Sequence, residues 1–283
     1  MIFMDPRAVL KRHGLKAKRS WGQNFLVSAG AVERIARLCV DQPGRHVVEI
    51  GAGLGTLTNA LLAAGGRVTA VERDRDLCRV LSSEFEQGDM LTIEEEDAAT
   101  FDYRRCLDNT PGVIAGNLPY QITGLILRRV MEPNMPLVRA VFMLQLEVAT
   151  RLKAGIDDRE RSALTVMSDA RFTSKIVMRL PPTAFHPKPK VRSAVVDLTP
   201  REEPLFGNID PERFDMTVKS AFHNRRKMIR NSLVASGIGS TEAIDAALDA
   251  AGIDPHVRAE KLPTETFVTL TQALTDTDDE LSG

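Results

Sequence analysis

The residues best suited to chemistry are Asn117, Leu118, Pro119 and Tyr120, which follow the short apolar run 113–116. Such a run is typical of a buried parallel strand, and ligands of open α/β sheets bind at the carboxyl ends of these strands. Carbonyl oxygens of Asn117 and Leu118 could accept both N–H bonds of a nucleobase amine, while Tyr120 stacks on the ring. That arrangement would free the lone pair of the amine for attack. The alternative is an ordinary strand-end turn, where Asn and Pro are common.

A glycine-rich turn at 51–55 (GAGLG) joins a predicted strand at 46–50 to a following helix. This order opens a nucleotide-binding βαβ unit, but the spacing is GxGxG and not the GxGxxG that binds pyrophosphate. Glu72 ends the next predicted strand about twenty residues later, where an acid can accept from both ribose hydroxyls. Asp97 follows a third strand and could accept from an adenine amino group. A ligand with adenine and ribose but no pyrophosphate indicates S-adenosylmethionine; the alternative is that both acids cap exposed strand ends.

Composition is that of an ordinary globular protein. The 283 residues suffice for one large domain and a smaller one, and 43% hydrophobic with 27% charged residues is typical of such chains. No apolar run has the length of a membrane span, and the first residues lack the apolar core of a signal peptide. Cys39, Cys78 and Cys106 are widely spaced without a ligand pattern, which favours reduced thiols in a cytoplasmic protein and no metal site.

Charge is unevenly distributed although the net charge is only −1. Residues 7–19 form a basic leader without an acidic side chain, and residues 219–231 form a second basic stretch of the same kind. Basic clusters on a nearly neutral protein suggest local contact with a polyanion, and the alternative is a solvated surface. Residues 275–280 form an acidic tail.

The remaining pattern predicts an α/β domain followed by a helical domain. Further strands are expected at 140–144, 171–179 and 191–198, the last two as an antiparallel pair at a sheet edge. Asp210 and Pro211 begin a helix whose apolar face continues from Phe214 to Leu233. Shorter helices are expected near 241–251 and 264–274. We therefore expect one domain over residues 1–200, including the leader at 1–25, and a helical domain over residues 201–283 that contains the second basic stretch and the acidic tail.

Seven motifs then occur in a fixed order, at 22–26 (GQNFL), 49–55 (EIGAGLG), 72–74 (ERD), 117–120 (NLPY), 142–145 (FMLQ), 185–191 (FHPKPKV) and 221–227 (AFHNRRK). Between about residues 18 and 267 the chain resembles the KsgA (RsmA) family of small-subunit ribosomal RNA adenine N6,N6-dimethyltransferases. The resemblance implies a Rossmann-like, S-adenosylmethionine-dependent methyltransferase sheet of seven strands and a small C-terminal helical domain. The chain departs from the family at Arg192, where an acid is usual, at Ala52, often Pro, and before Leu164, where Tyr-Gly is common.

By motif position, the resemblance implies cofactor contacts at Asn24, Leu26, Gly51, Glu72, Asp97 and Asn117. It implies catalytic contacts with a flipped adenine at Asn117, Leu118, Tyr120 and Phe185, with core packing as the other interpretation of Phe185. The basic residues expected to hold RNA are Arg225, Arg226, Lys227, Arg230, Lys188 and Lys190.

The function implied is dimethylation at N6 of two adjacent adenosines near the 3′ end of small-subunit ribosomal RNA, linked to small-subunit biogenesis. The expected partner is ribosomal RNA in a pre-ribosomal small subunit; no membrane or metal is expected, and the protein is expected to act as a cytoplasmic monomer. Two alternatives stand beside this hypothesis. One is a large-subunit ribosomal RNA adenine methyltransferase of the antibiotic-resistance type. The other is a non-catalytic ribosome assembly or nucleic-acid-binding factor on the same scaffold.

Overall fold

A computed structural model describes residues 3–107, 110–119 and 121–282, with the backbone alone at Arg19 and at residues 277–282. The α-helices in these ranges are α1 Pro6–Arg12, α2 Ala29–Cys39, α3 Thr56–Ala63, α4 Arg75–Glu84, α5 Tyr103–Leu107, α6 Thr123–Val130, α7 Leu146–Leu152, α8 Ala163–Arg171, α9 Pro211–Ala221, α10 Ile229–Ser236, α11 Thr241–Ala250 and α12 Thr264–Ser282. The strands are β1 Phe25–Leu26, β2 His46–Ile50, β3 Arg67–Glu72, β4 Leu91–Glu95, β5 Gly112–Asn117, β6 Leu137–Gln145, β7 Phe172–Leu180, β8 Phe185–His186 and β9 Ser193–Pro200.

Seven strands form one sheet in the order β4-β3-β2-β5-β6-β9-β7. The five strands from β4 to β6 pair in parallel, and β9 pairs antiparallel with β6. The strands β1 and β8 form a separate two-stranded ribbon. The predicted α/β fold with a seven-stranded, mostly parallel sheet is therefore confirmed, and β7 lies at the sheet edge beside β9, as the sequence predicted.

The central strand β2 is buried along its whole length, because helices cover both faces of a parallel sheet. Helix α2 contributes a buried stripe at helical spacing that includes Val32, Ile35 and Cys39. The helix α1 adds a second, smaller cluster in which Val9 and Leu10 pack with Leu54, Leu77 and Val80. None of the described helices is both long enough and apolar enough to cross a membrane.

The chain forms two compact units. The first comprises Met1–Ala149 and Lys175–Pro200, and the second comprises Thr150–Ser174 and Arg201–Gly283. The segment Thr150–Ser174 thus groups with the C-terminal helices, although the sequence analysis placed it in the first domain. The reason is that α8, which lies in this segment, packs against α9 and α12.

The second basic stretch is not one helix, contrary to the sequence prediction. Helix α9 ends at Ala221, residues 222–228 form a turn, and α10 begins at Ile229. Met228 is extended, with φ −62° and ψ 154°, so the helix cannot continue through it. The side chain of Ser232 donates to the carbonyl of Asn224 at 3.0 Å, which fixes the turn. The apolar residues keep helical spacing across this break, and the periodicity therefore predicted a single helix.

Candidate functional site

A cleft with a volume of about 270 Å³ lies at the carboxyl ends of the parallel strands in the first unit. Its lining comes from the N-terminal segment and from the ends of β2, β3, β4 and β5, with residues 20–25, Ile50, Gly51, Gly53, 71–73, Leu77, 96–98, 117–119, Gln121 and Ile122. Of the predicted cofactor residues, Asn24, Gly51, Glu72, Asp97 and Asn117 meet in this cleft. The volume is close to the lower end of the range for small-molecule sites, roughly 300 Å³.

Glu72 is held rigidly at the end of β3. Its side chain is 8% exposed, and its two carboxylate oxygens accept from the backbone N–H groups of Gly53 and Asp74, each at 2.9 Å. Burial raises the pKa of this carboxyl group. Each oxygen keeps a second lone pair, so the fixed carboxylate can still accept from a hydroxyl in the cleft.

Asp97 lies just beyond β4 and is more exposed than Glu72. One oxygen accepts from the backbone N–H of Ala99 at 2.8 Å, and the other pairs with the guanidinium of Arg73 at 3.1 Å. The strand order places Asp97 and Glu72 at adjacent strand ends. An adenosine that spans them would meet one carboxylate at the ribose and one at the base.

The glycine turn leaves the space that such a ligand needs. Gly51 has φ +67°, and a Cβ atom built there would have only the carbonyl oxygen of Asn117 within 4 Å, at 3.8 Å. A side chain at this position would therefore project into the cleft and would also be strained. The residues present fit a nucleoside cofactor, because an open glycine face and two strand-end acids are what ribose and adenine require.

Asn117 is oriented by the N-terminal segment. Its side-chain nitrogen donates to the carbonyl oxygen of Asn24 at 2.7 Å, and Asn24 in turn donates to the carbonyl of Gly22 at 2.9 Å. This hydrogen bond involves the amide nitrogen of Asn117 and leaves its amide oxygen without a contact to Asn24. The backbone N–H of Leu118 donates to Met143 at 3.2 Å, so the corner after β5 is tied to β6.

Two predicted site residues, Phe185 and Leu26, do not line this cleft. Phe185 is 2% exposed and belongs to the core of the first unit, opposite Leu26 in the β1–β8 ribbon. Leu26 is 7% exposed and lines a smaller adjoining cavity of about 50 Å³. Tyr120 lies outside the described residues. In this conformation Phe185 is a core residue, which matches its alternative interpretation, and a stacking role would require it to move.

The predicted RNA-binding residues differ in their surroundings. Lys188 and Lys190 are exposed in the loop before β9. Arg225 donates to the backbone carbonyls of Arg159 and Arg161, and Arg230 forms an ion pair with Asp245. Arg226 and Lys227 are exposed, and no described residue forms an ion pair or hydrogen bond with either side chain.

Three cations of the basic leader form ion pairs with acids of the first unit. Arg7 pairs with Asp5, and Arg12 pairs with Glu84. Lys18 contacts two carboxylates, those of Asp74 at 2.7 Å and Asp76 at 2.9 Å. The leader therefore fastens the N-terminal segment to α4.

At Arg192, where the chain departs from the family pattern, the side chain is exposed, and the carbonyl oxygen accepts from the backbone N–H of Leu146 at 2.9 Å.

Comparison with known proteins agrees with this geometry. The profile of the family described as ribosomal RNA adenine dimethylase matches residues 14–276. The chain is 46% identical over 274 residues to "Ribosomal RNA small subunit methyltransferase A" of Myxococcus xanthus, covering 95% of each chain. It is 41% identical over 282 residues to the protein of the same name in Anaeromyxobacter sp. strain K, covering 96% of this chain and 98% of the other.

The chain belongs to the ribosomal RNA adenine dimethylase family.

Two solved structures agree with this membership in fold. The 23S rRNA methyltransferase ErmE is 29% identical and superposes with a TM-score of 0.67, covering 89% of this chain and 99% of its own. A dimethyladenosine transferase from Plasmodium falciparum is 21% identical and superposes with a TM-score of 0.76, covering 90% of this chain and 98% of its own. The predicted Rossmann-like methyltransferase fold is therefore confirmed, and this protein is an adenine dimethylase by family.

Glu49 is a buried acid that the sequence analysis left without a role in this dimethylase. It lies in β2 beneath the glycine turn, is 2% exposed, and accepts from the hydroxyl of Thr58 at 2.5 Å. Burial raises its pKa to about 8. The sequence signal was a charged residue inside an otherwise apolar strand, 46–50.

The described residues contain no cluster of His, Cys, Asp and Glu arranged for a metal ion.

We expect Glu49→Gln to remove part of the pH dependence of stability. Because the folded pKa of Glu49, about 8, exceeds the unfolded value of about 4.3, the native protein binds more protons between these pH values. The contribution of Glu49 to the free energy of unfolding is therefore fully present at low pH and is lost as the pH rises towards 8. The free energy of unfolding from urea titrations should fall less steeply between pH 5.5 and 8 in the variant, by up to about 1.4 kcal/mol per pH unit. The matched control is Glu33→Gln, an exposed acid that pairs with Arg37 on α2; equal slopes in both variants would contradict the assignment.

Proposed function

We propose that this protein dimethylates N6 of two adjacent adenosines near the 3′ end of small-subunit ribosomal RNA, using S-adenosylmethionine. It acts in the cytoplasm as a monomer, on RNA within a pre-ribosomal small subunit, and so takes part in ribosome biogenesis. The observation that carries the proposal is the cleft in which Glu72, Asp97 and Asn117 meet at the carboxyl ends of parallel strands of one sheet. Identity of 46% to a small-subunit enzyme, against 29% to ErmE, supports the small-subunit substrate over the large-subunit alternative.

The cofactor would be held by its adenosine half. Glu72 would accept from the ribose hydroxyls, Asp97 from the adenine amino group, and Gly51 would allow close approach of the backbone. S-adenosylmethionine supplies a methyl group on a sulfonium centre, which is reactive enough that positioning accounts for most of the catalysis. Asn24 would act through Asn117, because its carbonyl fixes the orientation of that amide.

The target adenine would be held at the corner after β5. The amide oxygen of Asn117 and the carbonyl oxygen of Leu118 would accept from the N6 amine and stabilise the positive charge that develops on it. Tyr120 would stack on the flipped ring, with Phe185 as a second face after it leaves the core. The proton leaves the product amine for water.

The test offers isolated small subunits, isolated large subunits and free ribosomal RNA to the protein with labelled S-adenosylmethionine. We expect label only in small-subunit RNA, as dimethyladenosine at two adjacent positions. Label in the large subunit would favour the antibiotic-resistance type of enzyme. Binding to small subunits without any label, under conditions where the cofactor binds, would favour the non-catalytic assembly factor.

The turn 222–228 would hold RNA phosphates through Arg226 and Lys227, because Arg225 is bound to backbone carbonyls whereas these two side chains have no hydrogen bond or ion pair among the described residues. We expect the double variant Arg226→Gln/Lys227→Gln to weaken small-subunit binding and to leave cofactor affinity unchanged. The slope of log affinity against log salt should become shallower by about 0.7–0.9 per lost contact. Arg230→Gln is the matched control, because its charge is already paired with Asp245. An unchanged slope in the double variant would place the RNA elsewhere, with Lys188 and Lys190 the next residues to test.

A further inference from the structure

Trp21, the only tryptophan of the chain, lies at the mouth of the cleft without a role in the function proposed so far. Its side chain is 40% exposed, and two cations lie over its ring. The guanidinium carbon of Arg73 is 4.7 Å from the ring centroid, and the ammonium of Lys18 is 5.1 Å from it. A large aromatic ring that remains partly in water beside a ligand cleft is more informative than a buried one, because core packing does not explain it.

The loop that carries Trp21 is fixed on both sides. The backbone N–H of Lys18 donates to the side chain of Gln23 at 2.8 Å, which closes the loop. Gln23 then donates to Asp74 at 2.7 Å, and the ammonium of Lys18 donates to the same carboxylate at 2.7 Å. Asp74 is only 2% exposed and caps α4, so the anchor is rigid. The indole is therefore held in place and does not need to be ordered when a ligand arrives.

Arg73 makes two contacts that a purine with an amino group would also make. It follows Glu72 directly, places its guanidinium over the indole, and donates N–H to Asp97 at 3.1 Å. Adenine offers the same combination, a flat face for Trp21 and an amine for Asp97. We propose that Trp21 is the stacking face for the adenine ring of S-adenosylmethionine, which would take the place of the Arg73 guanidinium over the indole.

The ring that stacks on Trp21 is not the target base. Asp97 follows β4, whereas Asn117 ends β5, and β3 and β2 lie between them in the sheet. Three strand spacings correspond to about 14 Å. A purine on Trp21 and Asp97 would be the cofactor's own, and a second adenine would lie at Asn117. The inference deepens the proposed function and rests on it.

The direct test uses the fluorescence of Trp21, which reports on this site alone because the chain has no other tryptophan. S-adenosylhomocysteine and adenosine should each shift the emission to shorter wavelength and reduce quenching by acrylamide about twofold or more, since a stacked indole is shielded from water. Methionine should change neither quantity. An unchanged signal, at concentrations where calorimetry shows S-adenosylhomocysteine bound, would overturn this inference and leave the proposed function intact. Absence of any binding by calorimetry would overturn both.

Variants test the same contact through affinity. Trp21→Leu should raise the Kd of S-adenosylhomocysteine about fivefold or more, while Trp21→Phe, which keeps a ring, should retain most of the affinity. Met90→Ala is the control, because it truncates an exposed apolar side chain of the first unit outside the cleft. Equal Kd values for the wild type and Trp21→Leu would overturn the stacking role. A Trp21 signal that responds to RNA and not to S-adenosylhomocysteine would also overturn it.

Arg73→Ala tests whether Arg73 gives way to adenine. If it does, the variant should bind S-adenosylhomocysteine at least as tightly as the wild type, because no ion pair with Asp97 has to be broken. Arg75→Ala is the control, since Arg75 at the start of α4 pairs with Glu95 of β4 outside the cleft. A Kd that rises fivefold only in Arg73→Ala would overturn the replacement of Arg73 and would make it a ligand contact.

Discussion

Asn117→Ala is expected to lower kcat for RNA methylation by about 100-fold or more, the range seen when one preorganised group that stabilises developing charge is removed. The amide nitrogen of Asn117 is committed to Asn24 at 2.7 Å, so the substitution removes an acceptor that is held in place and not a mobile side chain. Single-turnover transfer from labelled S-adenosylmethionine to small subunits measures this loss. Calorimetry with S-adenosylhomocysteine should show a much smaller effect, within about tenfold, because one hydrogen bond is lost.

Asn208→Ala provides the matched control for this variant. Asn208 is exposed in the second unit, and the same amide is removed there without touching the cleft. Its transfer rate should equal that of the wild type. If Asn117→Ala methylates small subunits at the wild-type rate, the corner after β5 is a strand-end turn without a part in the chemistry.

Asp215→Ala is expected to destabilise the protein by about 3–5 kcal/mol, the cost of leaving a buried charge without its partner. The guanidinium of Arg171 is 2.9 Å from Asp215, and the two side chains are only 8% and 20% exposed. Arg171 also lies 4.8 Å from the ring centroid of Phe206, which restricts its access to water. Burial lowers the pKa of Arg171 and raises the pKa of Asp215, because it disfavours the charged form of each group. The attraction between the two charges offsets this loss of hydration.

Urea titration followed by circular dichroism measures the free energy of unfolding of this variant. Asp245→Ala serves as the control, because it breaks the exposed pair with Arg230, and solvent-exposed pairs contribute little to stability. Similar stability losses in the two variants would show that the Arg171–Asp215 pair is screened by water. Replacement of both partners, Arg171→Met with Asp215→Leu, should recover much of the loss, since a buried pair can often be exchanged for apolar packing.

The parallel strands β2 to β5 could be predicted from sequence because they are short apolar runs that end in an acid or beside a glycine. Val113 to Gly116 and His46 to Ile50 were identified in this way; the structure extends the first by one residue at each end and leaves the second unchanged. The meeting of Glu72 and Asp97 also followed, because parallel strands bring their carboxyl ends to one edge. Strands that pair in the sheet lie far apart in the sequence, but a repeated strand–helix order allows only a few strand arrangements.

What the sequence did not reveal depends on contacts between distant residues. The break between α9 and α10 preserves the apolar spacing, so periodicity joined the two helices. The charges of the turn 222–228 looked alike in sequence, yet Arg225 is bound to the backbone of residues 159–161 while Arg226 and Lys227 are exposed. Trp21 only precedes the motif at 22–26 in the sequence, and its position under the guanidinium of Arg73 is visible only in the structure. Side-chain environment, unlike strand order, has no local pattern from which it can be inferred.

The packing of α1 has a consequence for proteolysis of the chain. Val9 and Leu10 lie against Leu54, which is part of the glycine turn, and against Leu77 and Val80 of α4. A protease that removed the first dozen residues would leave the strands of the sheet intact but expose the apolar side chains beneath that turn. We expect the trimmed protein to keep its secondary structure and to lose the shape of the nucleotide cleft first. We therefore expect trimming at the N-terminus to weaken cofactor binding before it causes unfolding.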